Sequence, residues 1–303
     1  EAISEIVGDA PAYKNSYNVC QKLEERLAEY LTKQARKKSR QRPKLGVIIG
    51  SGSCNPLTRM HMRRFYLAKQ HLESRSDIFI LGSLISPAHH TVVRERYRNY
   101  LSEIMPTPHR LTIARMLVND SKWVAVDPWE ATRRRSMDYL SLLEHLRETV
   151  QNHTYSSASR LKSSMFANMK DFDVKVFYLC KPNSIPNISP SALKANNLNV
   201  VCVCRPPESE MLREQLGARW NGVITVVEDE AILDCSVDTI SSKDVRARIK
   251  RQVNVANLMG GLAEEYLQFH RIGAKVGGMR GGTAPRCDIC STIVLLCYFL
   301  FYT

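Results

Sequence analysis

Short apolar runs rich in β-branched residues recur along this chain, separated by longer stretches with helical spacing. The runs occupy residues 45–50, 77–85, 122–126, 174–180, 198–204 and 222–227. Most are close to continuously apolar rather than alternating, which suits strands covered on both faces, the condition of a parallel sheet. Helical spacing fills the gaps at 60–72, 108–118, 131–151, 208–216, 242–250 and 262–269. This order predicts an α/β chain with an open, doubly wound parallel sheet. Ligands are then expected at the carboxyl ends of the strands.

The first strand end carries the most informative segment. Residues 52–61 read G-S-C-N-P-L-T-R-M-H, between the first apolar run and the first helix. Small residues here let a phosphate approach the backbone, and a helix N-terminus supplies unpaired N–H donors and partial positive charge. His61 falls in the first helical turn, aimed at the same place. Read alone, the segment is also compatible with a tight strand-to-helix turn whose histidine only caps or packs.

Residues Gly52, Ser53, Asn55, Pro56, Thr58, Met60, His61, Arg63, Phe65, Leu67, Ala68 and Lys69 resemble the nucleotidylyltransferase signature G-x-F-N-P-x-T-x-x-H, with Thr58 and His61 as the paired positions of (H/T)-x-x-H. Matching stretches follow in order at 85–87, 109–110, 121–124, 129–130, 202–205 and 240–246. The series, over residues 44–273, is similar to the eukaryotic nicotinamide/nicotinic acid mononucleotide adenylyltransferases. The resemblance implies a Rossmann-like sheet of the nucleotidylyltransferase type. It also implies ATP and nicotinamide or nicotinate mononucleotide as substrates, Mg2+ accompanying ATP, and a homo-oligomer.

In that reaction an acceptor phosphate already carries the attacking charge, so the protein aligns the partners and neutralises charge developing on the phosphates. The resemblance makes His61 and Arg246 the catalytic pair. Gly52, Ser53, Thr58, Ser241 and Ser242 join them in contacting ATP and its phosphates, with Arg94 and Arg96 as further candidates. The stretch 240–246 resembles the family's I-S-S-T-x-I-R box, where serines opening a helix cap it and Arg246 follows one turn later. Trp129 and Asn187 are expected at the mononucleotide. Protein ligands for a metal are not expected.

Several positions depart from the family pattern. After Cys180 the family's Gly-x-Asp segment is missing, and the chain runs directly into 181–187; Pro186 and Asn187 resemble the start of a Pro-Asn-Leu-Trp stretch whose Trp is replaced by Ser189. Cys54 replaces Phe, Ser136 and Tyr139 stand at pocket positions, and Lys243 with Asp244 replaces Thr-Lys. A lost stacking ring is worth about 1 kcal/mol beyond its burial. The phosphate half therefore reads as intact and the nucleoside half as altered. The alternative is a catalytically impaired nucleotide-binding or chaperone-like relative; an adenylyltransferase for another phosphate acceptor is a same-fold rival.

A formal net charge of +13 suits anionic ligands, but equally nucleic acid or an acidic membrane. The chain carries no RNP-like aromatic motif, which argues against RNA. Nine scattered cysteines, some inside apolar runs, suit reduced thiols and an intracellular location in nucleus or cytoplasm. Residues 1–43 read as a basic N-terminal extension with an amphipathic stretch at 19–32 and a basic run at 36–42. The chain opens on Glu1, so no signal peptide can be read. Residues 152–173 read as a flexible insertion. The lone C-x-x-C at Cys287 and Cys290 lacks a second pair at zinc spacing. Residues 274–303 form an atypical Gly-rich, then apolar tail; its apolar part is too short to span a bilayer, which needs about twenty residues, and leaves contact with a membrane interface open.

Overall fold

The computed structural model describes residues 12–37, 44–75, 78–160, 174–230 and 240–272. The elements in chain order are α1 (Ala12–Lys37), β1 (Leu45–Gly52), α2 (Arg59–Arg75), β2 (Phe79–Pro87), α3 (His90–Arg96), α4 (Thr107–Val118), β3 (Val124–Val126), α5 (Trp129–Thr132), α6 (Tyr139–Arg160), β4 (Val174–Cys180), α7 (Pro190–Ala195), β5 (Leu198–Cys204), α8 (Pro206–Gln215), β6 (Ile224–Glu228), α9 (Ser242–Lys250), α10 (Ala256–Met259) and α11 (Gly261–Phe269). All six strands pair in parallel in the order β3-β2-β1-β4-β5-β6. This is the doubly wound, Rossmann-like arrangement predicted from the apolar runs. The order reverses between β1 and β4, and that reversal opens a crevice at their carboxyl ends.

Period-two side-chain alternation splits the sheet between two cores. Leu45, Val47 and Ile49 of β1 join Val174 and Val176 of β4 and Leu198, Val200 and Cys202 of β5 on one face, under α1 and α6. Ile48, Phe177, Leu179, Val201 and Val203 face the other way, against Met62, Phe65, Ala68 and Leu72 of α2 and Leu111, Ala114 and Val118 of α4. A third cluster, Val245, Val255, Leu258, Met259, Ala263 and Leu267, joins α9, α10 and α11 to Ile113 of α4 and to Met105. It brings the start of α9 to the crevice.

Three expectations change. The stretch read as an N-terminal extension supplies α1, whose Leu23, Leu27, Tyr30 and Leu31 are buried in the main core. Lys22 of that helix donates to the carbonyls of Val118 (3.0 Å) and Val124 (2.9 Å), closing the end of α4 against β3. A single helix over 131–151 is instead two, because the Asp138 carboxylate caps the backbone N–H groups of Leu140 (2.9 Å) and Ser141 (3.0 Å) and starts α6 there. That helix continues to Arg160, into the stretch read as an insertion. The basic run from 38 onward, residues 161–173, the C-x-x-C and the apolar tail lie outside the described residues. None of the described helices is long and apolar enough to cross a membrane.

Candidate active site

A cavity of about 550 Å³ sits at the crevice, lined by the ends of β1 and β4, the first turn of α2 and the start of α9. Its loop runs from Gly52 to Thr58. Arg110, buried at 1% exposure, holds this loop by donating to the Ser53 carbonyl at 2.7 Å and to the Ala88 carbonyl at 3.0 Å. Asn55 accepts from the Met105 N–H at 2.8 Å and donates to the Glu103 carbonyl at 2.9 Å. Cys54 takes a left-handed φ of 44° between them.

Thr58 and His61 stand at the N-cap and third positions of α2. The Thr58 N–H donates to Nδ1 of His61 at 3.2 Å, with the Thr58 hydroxyl 2.8 Å from the same atom. An Nδ1 that accepts leaves the proton on Nε2, which has no described partner. Burial, with Lys181 and Arg64 nearby, depresses the imidazole pKa to about 3. His61 is thus a neutral donor across the physiological range. Thr58 itself is buried and absent from the cavity wall. It orients His61 and does not contact the cavity.

At the other rim, Ser241 caps α9 by accepting from the Asp244 N–H at 3.3 Å. The Ser242 hydroxyl donates to the Pro56 carbonyl at 2.9 Å, tying α9 to the loop. Arg246 lines the cavity, but its guanidinium is already engaged. It donates to the Asn55 carbonyl at 2.8 Å and to Glu103 at 3.1 and 3.2 Å. Arg96 also lines the cavity and donates to the Ser53 hydroxyl at 2.9 Å.

Not every expected residue arrives. Arg94 is exposed on α3 and does not reach the cavity, because one helical position separates it from the face that carries Val93 inward. Trp129 is also absent from the wall: its ring stacks on His145 at 3.8 Å, and the Arg133 guanidinium lies 4.3 Å from its centroid. Asn187 does arrive, shared with a neighbouring cleft of about 960 Å³ between residues 182–191 and α8. Met211, Leu212 and Trp220 supply an apolar wall there.

Other residues of the site escaped the sequence reading. Arg64 and Lys181 line the cavity. A second charge directly after Arg63, and a lysine where a strand ends, were the available signals. Glu130 is buried and accepts from the hydroxyls of Ser51 (2.9 Å) and Ser86 (3.2 Å) and from the His89 N–H (3.3 Å), joining the ends of β1 and β2. Burial raises its pKa. Asp127, at the end of β3, is pushed up to about 6 by burial, and its Oδ2 has no hydrogen-bond partner among the described residues.

Five cations line the cavity (Arg64, Arg96, Lys181, Lys243 and Arg246), with no carboxylate among the lining residues. The donor set suits a polyanion. It does not suit Mg2+, which prefers oxygen ligands, and among the described residues no group of three possible metal ligands occurs.

No protein-family model matches the chain. It is similar to nicotinamide/nicotinic acid mononucleotide adenylyltransferase 2 of Danio rerio, 24% identical over 163 residues, 53% of this chain and 51% of that protein. A second relative is nicotinamide/nicotinic acid mononucleotide adenylyltransferase 1 of Bos taurus, 22% identical over 256 residues, 75% of this chain and 88% of that protein. Among solved structures, Plasmodium falciparum nicotinic acid mononucleotide adenylyltransferase complexed with NaAD aligns with a TM-score of 0.47 at 12% identity, over 76% of this chain and 97% of that one. The chain spans about half the length of the zebrafish relative. The likeness to the eukaryotic-type mononucleotide adenylyltransferases, expected from the motif series, is present at low identity.

Proposed function

We propose that this relative of the mononucleotide adenylyltransferases is itself a nucleotidyltransferase that moves AMP from ATP to nicotinamide or nicotinate mononucleotide. The observation that carries the reading is His61, held as a neutral Nε2–H donor by Thr58 in an all-cationic cavity at the strand-order reversal. An oxygen of the acceptor phosphate attacks the α-phosphorus of ATP, the bond to the β-phosphate oxygen breaks, and pyrophosphate leaves with the electron pair. The nucleophile needs no base because it is already ionised. His61 donates to a phosphate oxygen whose charge grows in the transition state, and a neutral imidazole does so without first losing a proton.

Gly52 gives the phosphates access to the backbone, since a Cβ there would meet nothing within 4 Å. The start of α9 adds the N–H groups of Ser242 and Lys243, free of described partners, at the positive end of the helix dipole. Arg246, tied to Asn55 and Glu103, acts mainly by locking α9 onto the loop. Because the cavity offers no carboxylate, magnesium would travel with ATP on its phosphate oxygens, supplying charge neutralisation. The neighbouring cleft, with Asn183, Asn187 and an apolar wall, has the volume for a nucleoside.

The test incubates the purified chain with ATP, magnesium and either mononucleotide, and follows NAD or deamido-NAD together with pyrophosphate. Product dependent on His61 supports the reading. ATP binding without product from either acceptor overturns it.

A further inference from the structure

Four of the five cations of the cavity fall into two groups; the fifth, Lys243 at the start of α9, is exposed and makes no described side-chain hydrogen bond. Arg96 and Arg246 are spent on the protein, the first on Ser53 and the second on Asn55 and Glu103. The side chains of Arg64 and Lys181 make no hydrogen bond or ion pair with any described residue. They come from separate elements, Arg64 from the first turns of α2 and Lys181 from the residue after β4, yet both line the same cavity. Arg64 lowers the affinity of Lys181 for its proton, and both lower that of His61, so the three groups share one electrostatic environment. Arg96 adds to the repulsion felt by Lys181.

Few countercharges offset this. Glu208 of α8 attracts both residues and Asp229 attracts Arg64, but neither makes contact with them. The Asp229 carboxylate is taken by Arg63 at 2.7 Å, and Glu208 accepts from the Arg205 N–H at 3.3 Å. An Arg partly withdrawn from water in one cavity wall with an exposed Lys, neither in contact with a carboxylate, is unfavourable in the free protein. The arrangement becomes favourable when an anion with several acceptor oxygens, such as a phosphate, sits between them.

We propose that Arg64 and Lys181 form a phosphate subsite on the β4 side of His61, separate from the α9 side, which binds a phosphoryl group of one of the two nucleotides. This rests on the cavity being a nucleotide site, and not on adenylyl transfer taking place. Two phosphate-bearing ligands must meet in the cavity, and the donors at the start of α9 lie beside the Gly52 to Thr58 loop. A second cationic station across His61 holds the other end of a polyphosphate, or the phosphate of the acceptor.

Calorimetric titration of the full chain with inorganic pyrophosphate, and separately with nicotinamide mononucleotide, tests this. The variants are Arg64→Gln, Lys181→Gln and the double substitution, with Lys181→Arg as the charge-preserving change and Lys175→Gln as the control. Lys175 is exposed near the opposite end of β4. The double variant is expected to lose at least about tenfold in affinity for one probe, with Lys181→Arg retaining it. Loss confined to pyrophosphate assigns the subsite to the donor's polyphosphate; loss confined to the mononucleotide assigns it to the acceptor. Unchanged affinity for both probes overturns the proposal, as does an equal loss in Lys175→Gln, which would reveal only the general field. Should the double variant fail to fold, Lys181→Gln, at an exposed position, carries the same reading. If no NAD forms but pyrophosphate binding depends on the pair, the subsite stands and the adenylyltransfer reading falls. NAD formation by a chain whose phosphate affinity ignores the pair gives the reverse.

Discussion

The two walls of the cavity are built differently. On the loop and α9 side most polar side chains are tied to protein, with the exposed Lys243 as the exception: Arg110 to Ser53 and Ala88, Asn55 to Met105 and Glu103, Ser242 to Pro56, and Arg246 to Asn55 and Glu103. On the β4 side, Lys181, Asn183 and Asn187 are exposed, and Lys181 and Arg64 keep their donors free. The first wall is preorganised, and its cations mostly hold backbone in place. The second leaves its charge unspent. A cation lining a cavity is thus informative about ligands only once its own hydrogen bonds have been followed.

The sharpest way to break the contrast is Arg110→Ala. It should cost about 3–5 kcal/mol in denaturant unfolding, because a buried cavity opens and two loop carbonyls lose their donor. A loss below about 1 kcal/mol would mean the loop is not held by that side chain. Next, His61→Ala should lower turnover by about 10²- to 10³-fold, with an unchanged circular dichroism spectrum, since it removes a transition-state donor and little packing. Because the folded imidazole pKa is about 3, the wild-type rate should show no limb from His61 between pH 5 and 8.

Smaller effects sharpen the picture. Asp127 has a folded pKa near 6, raised from 3.8. The folded state therefore keeps a proton that the unfolded chain releases, and stability falls as pH rises through that window. Asp127→Asn should stabilise the protein by about 1–3 kcal/mol at pH 7, with the gain vanishing below the unfolded value. Gly50→Ala should cost about 1–3 kcal/mol, because its Cβ would lie 2.6 Å from Cζ of Phe65. Gly52→Ala, in open space, should leave stability nearly unchanged while weakening ATP binding. Smallest of all, Lys181→Gln should alter unfolding by no more than about 0.5 kcal/mol and move the His61 NMR titration upward.

The strands were legible because a parallel sheet needs buried runs, and residues 45–50, 174–180 and 198–204 supply them without ambiguity. The loop 52–58 and His61 were legible because a strand, small residues and a helix start occur in that order. Arg246 was found, but its engagement by Glu103 was not, since the two lie far apart in sequence and meet only when α9 docks. The setting of Trp129 was hidden for a related reason: only the packed molecule brings His145 of α6 onto its ring. Arg64 and Lys181 passed unnoticed because neither is unusual beside its neighbours.

By itself the sequence determined the sheet, its helical cover and the position of the phosphate-facing turn, since these follow from local periodicity and from residues with special backbone needs. Tertiary structure decided which cations are free. That property depends on whether a distant carbonyl or carboxylate already occupies the donors, and folding alone sets those distances.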